Sequence, residues 1–323
     1  MGTLVGHVAP GFGFLLIGLW HLYNNVKLYS LNPKNHRFHP WYPAPRLRHL
    51  ELLLIAAGSC ASIAMELFIG PARHQPLDPD FTIPSNHLHN FEHASISLTF
   101  LFYAAFAFTF DRIQPAPSAA EPLTIIAASA AFAQQLFLFH LHSADHMGIE
   151  GQYHWLLQLI IAISLITTLM GIGNPKSFTV GFVRSVSIGF QGIWFIVMGY
   201  ALWTPALIPK GCFMNAEDGH FVVRCRSEEA LHRAKSLANI EFSWCLAAVV
   251  GSSLLFYLLL SRRYAEEMEY SPISKLSGEM EIEEMELEEG KNSFLSLGKV
   301  MRNVDLESSA VEHVGKVTTA GLL

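Results

Sequence analysis

Charge is what this chain lacks most. Only 15% of its 323 residues are Asp, Glu, Lys or Arg, against roughly 25% in soluble domains. So little polar surface cannot cover a chain that is 51% hydrophobic, which excludes an ordinary water-soluble globule. A basic excess is missing as well. With 21 Lys and Arg against 27 Asp and Glu, nucleic acid is excluded as a partner. No charge precedes Lys27, so the N-terminus lacks the basic region of a cleavable signal peptide, and none is expected. Gly6 stands where a myristoylation motif needs Ser or Thr. Cysteine is sparse: Cys60 and Cys245 lie in apolar runs, and Cys212 and Cys225 share one loop.

Long apolar runs are present instead. About twenty apolar residues span a bilayer as a helix, and seven runs qualify: Gly6–Tyr23, Leu50–Ile69, His89–Phe110, Leu123–Ala144, Tyr153–Ile172, Ser185–Trp203 and Ile240–Ser261. They lack the alternation of barrel strands, and a lipid-buried backbone must satisfy its own hydrogen bonds. The expected fold is therefore all-α, a seven-helix transmembrane bundle over residues 1–263. Prolines fall between the runs, and Trp20, Trp41, Tyr153, Trp155 and Trp203 mark their ends, where headgroups favour amphipathic rings.

Lys and Arg set the expected orientation. Ten lie in the loops after the first, third, fifth and seventh runs, counting Arg184, and six on the other side. The N-terminus is then outside or luminal and the C-terminus cytosolic. That places Cys212 and Cys225 in an oxidising compartment, where a disulfide is expected. Residues 264–323, acidic over Glu279–Gly290, read as a disordered cytosolic tail able to meet cytosolic partners. No retrieval motif is present, so plasma membrane and endomembranes both fit.

Histidine is abundant, with sixteen in the chain. His87, His89, His93, His140, His142, His146 and His154 crowd one stretch. The topology puts His7, Glu66, His89, Glu92, His93, His140, His142, Asp145, His146 and His154 at the outer ends of five helices. His89–Glu92–His93 and His142–Asp145–His146 repeat one spacing, and positions i, i+3 and i+4 share a helix face. Two imidazoles one turn apart with a carboxylate suit Zn²⁺, with iron as the alternative. The seven histidines at 7, 89, 93, 140, 142, 146 and 154 are the candidate ligands. Glu66, Glu92 and Asp145 are the candidate general bases. The competing reading is an interhelical polar network without metal. His21, His49 and Glu51 read as interfacial packing residues, and His36 and His39 as loop residues of little signal.

Gly6-His7-x-x-Pro10-Gly11, Leu16-Ile17-Gly18-Leu19, Glu66, His93-Ala94-Ser95, Phe139-His140-Leu141-His142, His154 and Gln191-Gly192-x-Trp194-Phe195 together carry a family resemblance. Over roughly residues 6–260 it resembles the transmembrane protein 45 family, multi-pass membrane proteins of plants and animals. The resemblance implies a role for His7, Glu66, His93, His140, His142 and His154. It does not extend to His89 or His146.

Three functions follow as expectations. The first is a metal-dependent hydrolase of a lipid-like substrate, similar in architecture to the seven-helix alkaline ceramidase and adiponectin receptor group but lacking the His-x-x-x-His of their last helix. The second is a di-iron lipid oxidase. The third is a non-catalytic scaffold or adaptor. Transport is disfavoured, because the cytosolic halves of the third to seventh runs read as apolar apart from Gln134 and Gln135.

Overall fold

The computed structural model describes residues 3–70, 76–113, 117–141, 148–217 and 220–269. The expected His142, Asp145 and His146, and the acidic stretch of the tail, lie outside these residues. The chain divides into two units, and the first, Met1–Ala265, contains the bundle. Its helices are α1 (Leu4–Leu31), α2 (Leu50–Ala64, continued by a π-helical turn Met65–Ile69), α3 (Leu88–Ile113), α4 (Pro117–His140), α5 (Ile149–Gly173), α6 (Phe178–Trp203) and α7 (Glu228–Glu269). Among the described residues these seven are long and apolar enough to cross a membrane.

The bundle is apolar outside and partly polar inside, the reverse of a soluble fold. Leu54, Phe102, Phe106, Phe137, Leu255 and Leu258 are each more than half exposed. His21, Glu51, Ser164, Thr168, Arg184 and Gln191 are buried. A surface of this kind is stable only in hydrocarbon, and ionisable groups then collect between helices.

Glycine sets the closest helix pair. α1 packs antiparallel against α6, with Gly11 and Gly18 facing Gly192 and Gly189. A Cβ at Gly18 would collide with the Gly189 backbone, and one at Gly192 with the Leu15 backbone. Small residues at such crossings let backbones approach in a lipid solvent that gives helices no hydrophobic reason to associate. α5 packs on α6, α4 on α5, α3 on α4 and α2 on α3. Trp194 of α6 is fully buried, and its indole N–H donates to the Tyr153 carbonyl at 3.0 Å. α7 joins α1 through Tyr23–Tyr264 and Ser30–Ser261 hydroxyl pairs at 2.9 and 3.2 Å.

Two elements go beyond the sequence expectation. At about 1.5 Å per residue, the 42 residues of α7 extend about 63 Å, twice the hydrocarbon thickness of about 30 Å. Its first three turns carry Glu228, Glu229, His232, Arg233 and Lys235, which have no hydropathy signal. A hairpin of β1 (Cys212–Glu217) and β2 (His220–Cys225) precedes them, Cys212 meets the Ala230 carbonyl, and Ala234 and Ala238 are buried in the same cluster as Val223. The hairpin is antiparallel with Cys212 opposite Cys225, and a disulfide joins these two residues. The second element is the segment between α1 and α2. It does not cover the bundle loosely: Phe38 and Tyr42 are buried, the Phe38 ring fills the space left by Gly171, and Asn25 Oδ1 and the Phe38 Cβ fill that left by Gly181.

Candidate functional site

Five helix ends meet where α1 begins. His7 lies in the first turn of α1, and His93 in the second turn of α3, after Asn90. Glu66 occupies the π-helical turn ending α2; Phe139 and His140 close α4; His154 opens α5. A π turn widens the helix by one residue and recurs at functional sites. Here the Gly70 N–H reaches back to the Met65 carbonyl at 2.7 Å. Glu66 is buried. It accepts from the Asn90 amide at 2.7 Å, and its other oxygen lies 3.7 Å from His93 Nδ1.

The imidazoles form two neighbouring pairs joined through one phenyl ring. His7 and His154 have ring centroids 6.2 Å apart, and His89 and His93 6.5 Å. Phe139 stands 5.4 Å from His154 and 6.4 Å from His93. His7 also stacks on Trp203 at 4.3 Å. Two imidazoles on one tetrahedral Zn²⁺ hold their centroids about 5 Å apart, so each pair stands about 1 Å wider than that spacing. Accordingly, among the described residues no three His, Cys, Asp or Glu side chains already form a metal-holding group.

Hydrogen bonds fix two tautomers. His7 Nδ1 bonds the Thr3 carbonyl at 3.1 Å. A carbonyl only accepts, so Nδ1 carries the proton and the lone pair sits on Nε2. His140 is set indirectly. The Gln158 amide donates to the Phe139 carbonyl at 3.1 Å, which turns Gln158 Oε1 toward His140 Nδ1 at 3.3 Å. His140 Nδ1 therefore donates, and its Nε2 is the acceptor. A backbone carbonyl or amide that takes one ring N–H is the usual way a protein orients the other nitrogen toward a metal or proton.

The structure thus pairs His7 with His154, and His93 with Glu66 and His89, all beside Phe139, while His140 bonds Gln158. Glu92 shares the first turns of α3. His140 is exposed and looks outward rather than into the cluster.

A second polar centre, at the opposite end, was not expected from the sequence. His21 Nε2 lies 2.7 Å from Glu51 Oε1, with both side chains buried. His21 Nδ1 lies 3.2 Å from Arg184 Nη1. Arginine only donates, so His21 accepts at Nδ1 and donates from Nε2 to Glu51. Arg184 further donates to Thr168 and to the His39 and Pro40 carbonyls at 3.1–3.3 Å. The other Glu51 oxygen takes the Tyr42 N–H at 2.8 Å. His21 and Glu51 are therefore buried partners rather than interfacial packing residues. Arg184 is an α6 interior residue rather than a loop cation. From it a hydroxyl chain continues: Ser187 bonds Ser164 at 2.8 Å, and Gln191 bonds Ser164 at 2.7 Å. These residues correct the expectation of apolar inner halves. They escaped notice because single Ser, Thr and Gln residues barely lower the hydropathy of a twenty-residue run.

The same loop is fastened at three further points. Arg48 and His49 meet Asp111, and Arg37 meets Glu121. His36 is buried against Asn25 and the Lys176 carbonyl. Burial lowers its pKa from 6.5, outweighing the pull of that carbonyl. A lowered imidazole pKa contributes stability above the unfolded value, and this is lost as pH falls through 6.5. Amide exchange of residues 36–42 is expected to be faster at pH 5.5 than at pH 7.5. Equal rates, corrected for intrinsic pH dependence, would contradict this.

Comparison with known families reaches part of the chain. Residues 121–258, from the start of α4 into α7, match the model of a family of unknown function (DUF716). The match covers under half of the chain; it includes His140, His154, Arg184 and Gln191 and stops short of His7, Glu66 and His93.

Proposed function

We propose that the chain is a membrane-embedded, metal-dependent hydrolase of a lipid-like substrate, with its site at the His7 end of the bundle. The supporting observation is a His7–His154 pair from α1 and α5 and a His93–Glu66 pair from α3 and α2, both beside Phe139 of α4. In a bundle whose exterior is apolar, polar groups gathered from four helices mark function more often than packing. We read this end as the outer or luminal one, and the chain as similar to the transmembrane protein 45 family.

His7, His93 and His154 are the proposed ligands. His7 presents Nε2 because Thr3 takes its Nδ1 proton. Glu66 has two tasks. It orients His93, as carboxylates beside metal-bound histidines do, and it takes the proton of the attacking water. Asn90 keeps the Glu66 side chain in place for both. Bound Zn²⁺, or iron as the alternative, would supply a water of lowered pKa. Closing His7 and His154 onto one ion needs a shift of about 1 Å, with His93 brought in from beside Phe139. His142, Asp145 and His146 complete the proposed ligand and base set.

Metal content of purified variants tests this reading. Wild-type protein is expected to carry about one equivalent of zinc, as structural-grade affinities imply. His93→Ala and His154→Ala are each expected to lose most of it while remaining monodisperse. Glu66→Gln is expected to keep more metal than either but to lose hydrolysis by about 10²–10⁴-fold, the range for a general base. A wild-type protein with under about 0.2 equivalents of any transition metal would remove the proposal.

One observation favours a second reading, a non-catalytic scaffold with a structural polar cluster. His7 lies flat on Trp203 at 4.3 Å, which is how a packed histidine sits. Under that reading the histidine variants change stability without any metal to lose.

A further inference from the structure

At the rim of the His7 end, α4 and α5 separate to leave a cleft of about 330 Å³, lined by His140, Gly151, Gln152, Trp155 and Gln158. It has room for roughly ten water-sized groups at about 30 Å³ each. We infer that this cleft binds the headgroup of a neutral, hydroxyl-bearing lipid.

The acceptor chemistry comes from the hydrogen bonds already described. Gln158 is buried, and its amide is committed to the Phe139 carbonyl. That fixes Gln158 Oε1 as the acceptor from His140 Nδ1, so His140 Nε2 faces any guest as an acceptor. The Gln152 amide is engaged by Asn239 of α7 at 2.7 Å. A guest that donates, through a hydroxyl or amide hydrogen, meets His140 Nε2 as its acceptor. Among the described residues the lining holds no Lys, Arg, Asp or Glu.

Position identifies the guest as a lipid. His140 is the last residue of α4, and Gly151 and Gln152 lie in the first turn of α5, so the cleft is at the level where headgroups begin. Trp155 is half exposed at its edge, and Phe137, Leu159 and Ile163 extend the same flank as exposed apolar surface. An amphipathic indole above an apolar wall suits a glycerol headgroup above its acyl chains. His154 and Gln158 are one turn apart on α5, so the cleft adjoins the histidine cluster. That this lipid is also the substrate rests on the hydrolase reading; its binding does not.

The experiment uses the full chain in phosphatidylcholine nanodiscs, treated with chelator, and radiolabelled dioleoylglycerol. Metal-free protein separates this test from the hydrolase reading. Saturable binding is expected. His140→Leu and Trp155→Ala, both at exposed positions, are expected to weaken it at least about tenfold. Dioleoyl-phosphatidylglycerol and free glycerol are not expected to displace the label. The inference is overturned by absence of saturable binding, by wild-type affinity in both variants, or by equal competition from the anionic lipid. Displacement by free glycerol would overturn the lipid assignment.

Discussion

A Gly18→Leu variant is expected to fail to accumulate as folded protein. The α1–α6 crossing has no room for a side chain there, since even a Cβ would meet the Gly189 backbone nitrogen and Cα. Backbone cannot rotate aside as a side chain can, so the helices must separate. Separation would affect both polar centres. His7 of α1 packs against Gly199, Phe195 and Trp203 of α6, and His21 of α1 bonds Arg184 of α6. Overpacking typically costs about 1–3 kcal/mol where side chains can yield, and a backbone collision costs more. Gly13→Leu is the control, because a Cβ at Gly13 meets nothing within 4 Å. Yield after size-exclusion chromatography is the measurement. Wild-type recovery of Gly18→Leu would show that the close crossing is not needed.

The second large effect is expected from Glu51→Leu. This change leaves the Arg184 guanidinium without a countercharge in its buried network and removes the acceptor for His21 Nε2 and the Tyr42 N–H. Deleting one member of a buried ionic network typically costs about 3–5 kcal/mol. Total stabilities are only about 5–15 kcal/mol. The thermal midpoint in detergent is expected to fall on the order of 10 °C. The double variant Glu51→Leu with Arg184→Met is expected to recover part of this loss, because the uncompensated charge has gone. Additive losses would show that the two residues do not act as one unit.

The two histidine groups show how much could be read from the sequence. At the His7 end, runs of about twenty residues fixed the depth of each imidazole by counting alone. Helix ends at known spacing bring His7, Glu66, His93 and His154 to one level whatever their rotamers. Counting could not give the direction of each side chain. His140 and His154 have similar depth, yet His140 faces outward and His154 is buried. The π turn at Met65–Ile69 was also hidden, because one additional residue per turn leaves no trace in hydropathy.

The other end was hidden for a different reason. Arg184 stands at the edge of an apolar run, and an edge charge reads as the start of a loop. Only the fold shows that loop residues His39 and Pro40 come inward to accept from it. Pro33, Pro40, Pro43 and Pro45 make residues 32–49 resemble a surface connector, whereas Phe38 and Tyr42 are core residues. Burial of a Pro-rich segment depends on cavities in other helices, such as the one at Gly171 and Gly181, far away in sequence.

X-ray absorption at the metal edge of the purified wild-type protein tests the central claim most directly. Four or five nitrogen and oxygen neighbours at about 2.0–2.1 Å are expected, with the outer-shell scattering of at least two imidazoles. A sulfur shell near 2.3 Å, an all-oxygen environment, or no metal signal above buffer would contradict it.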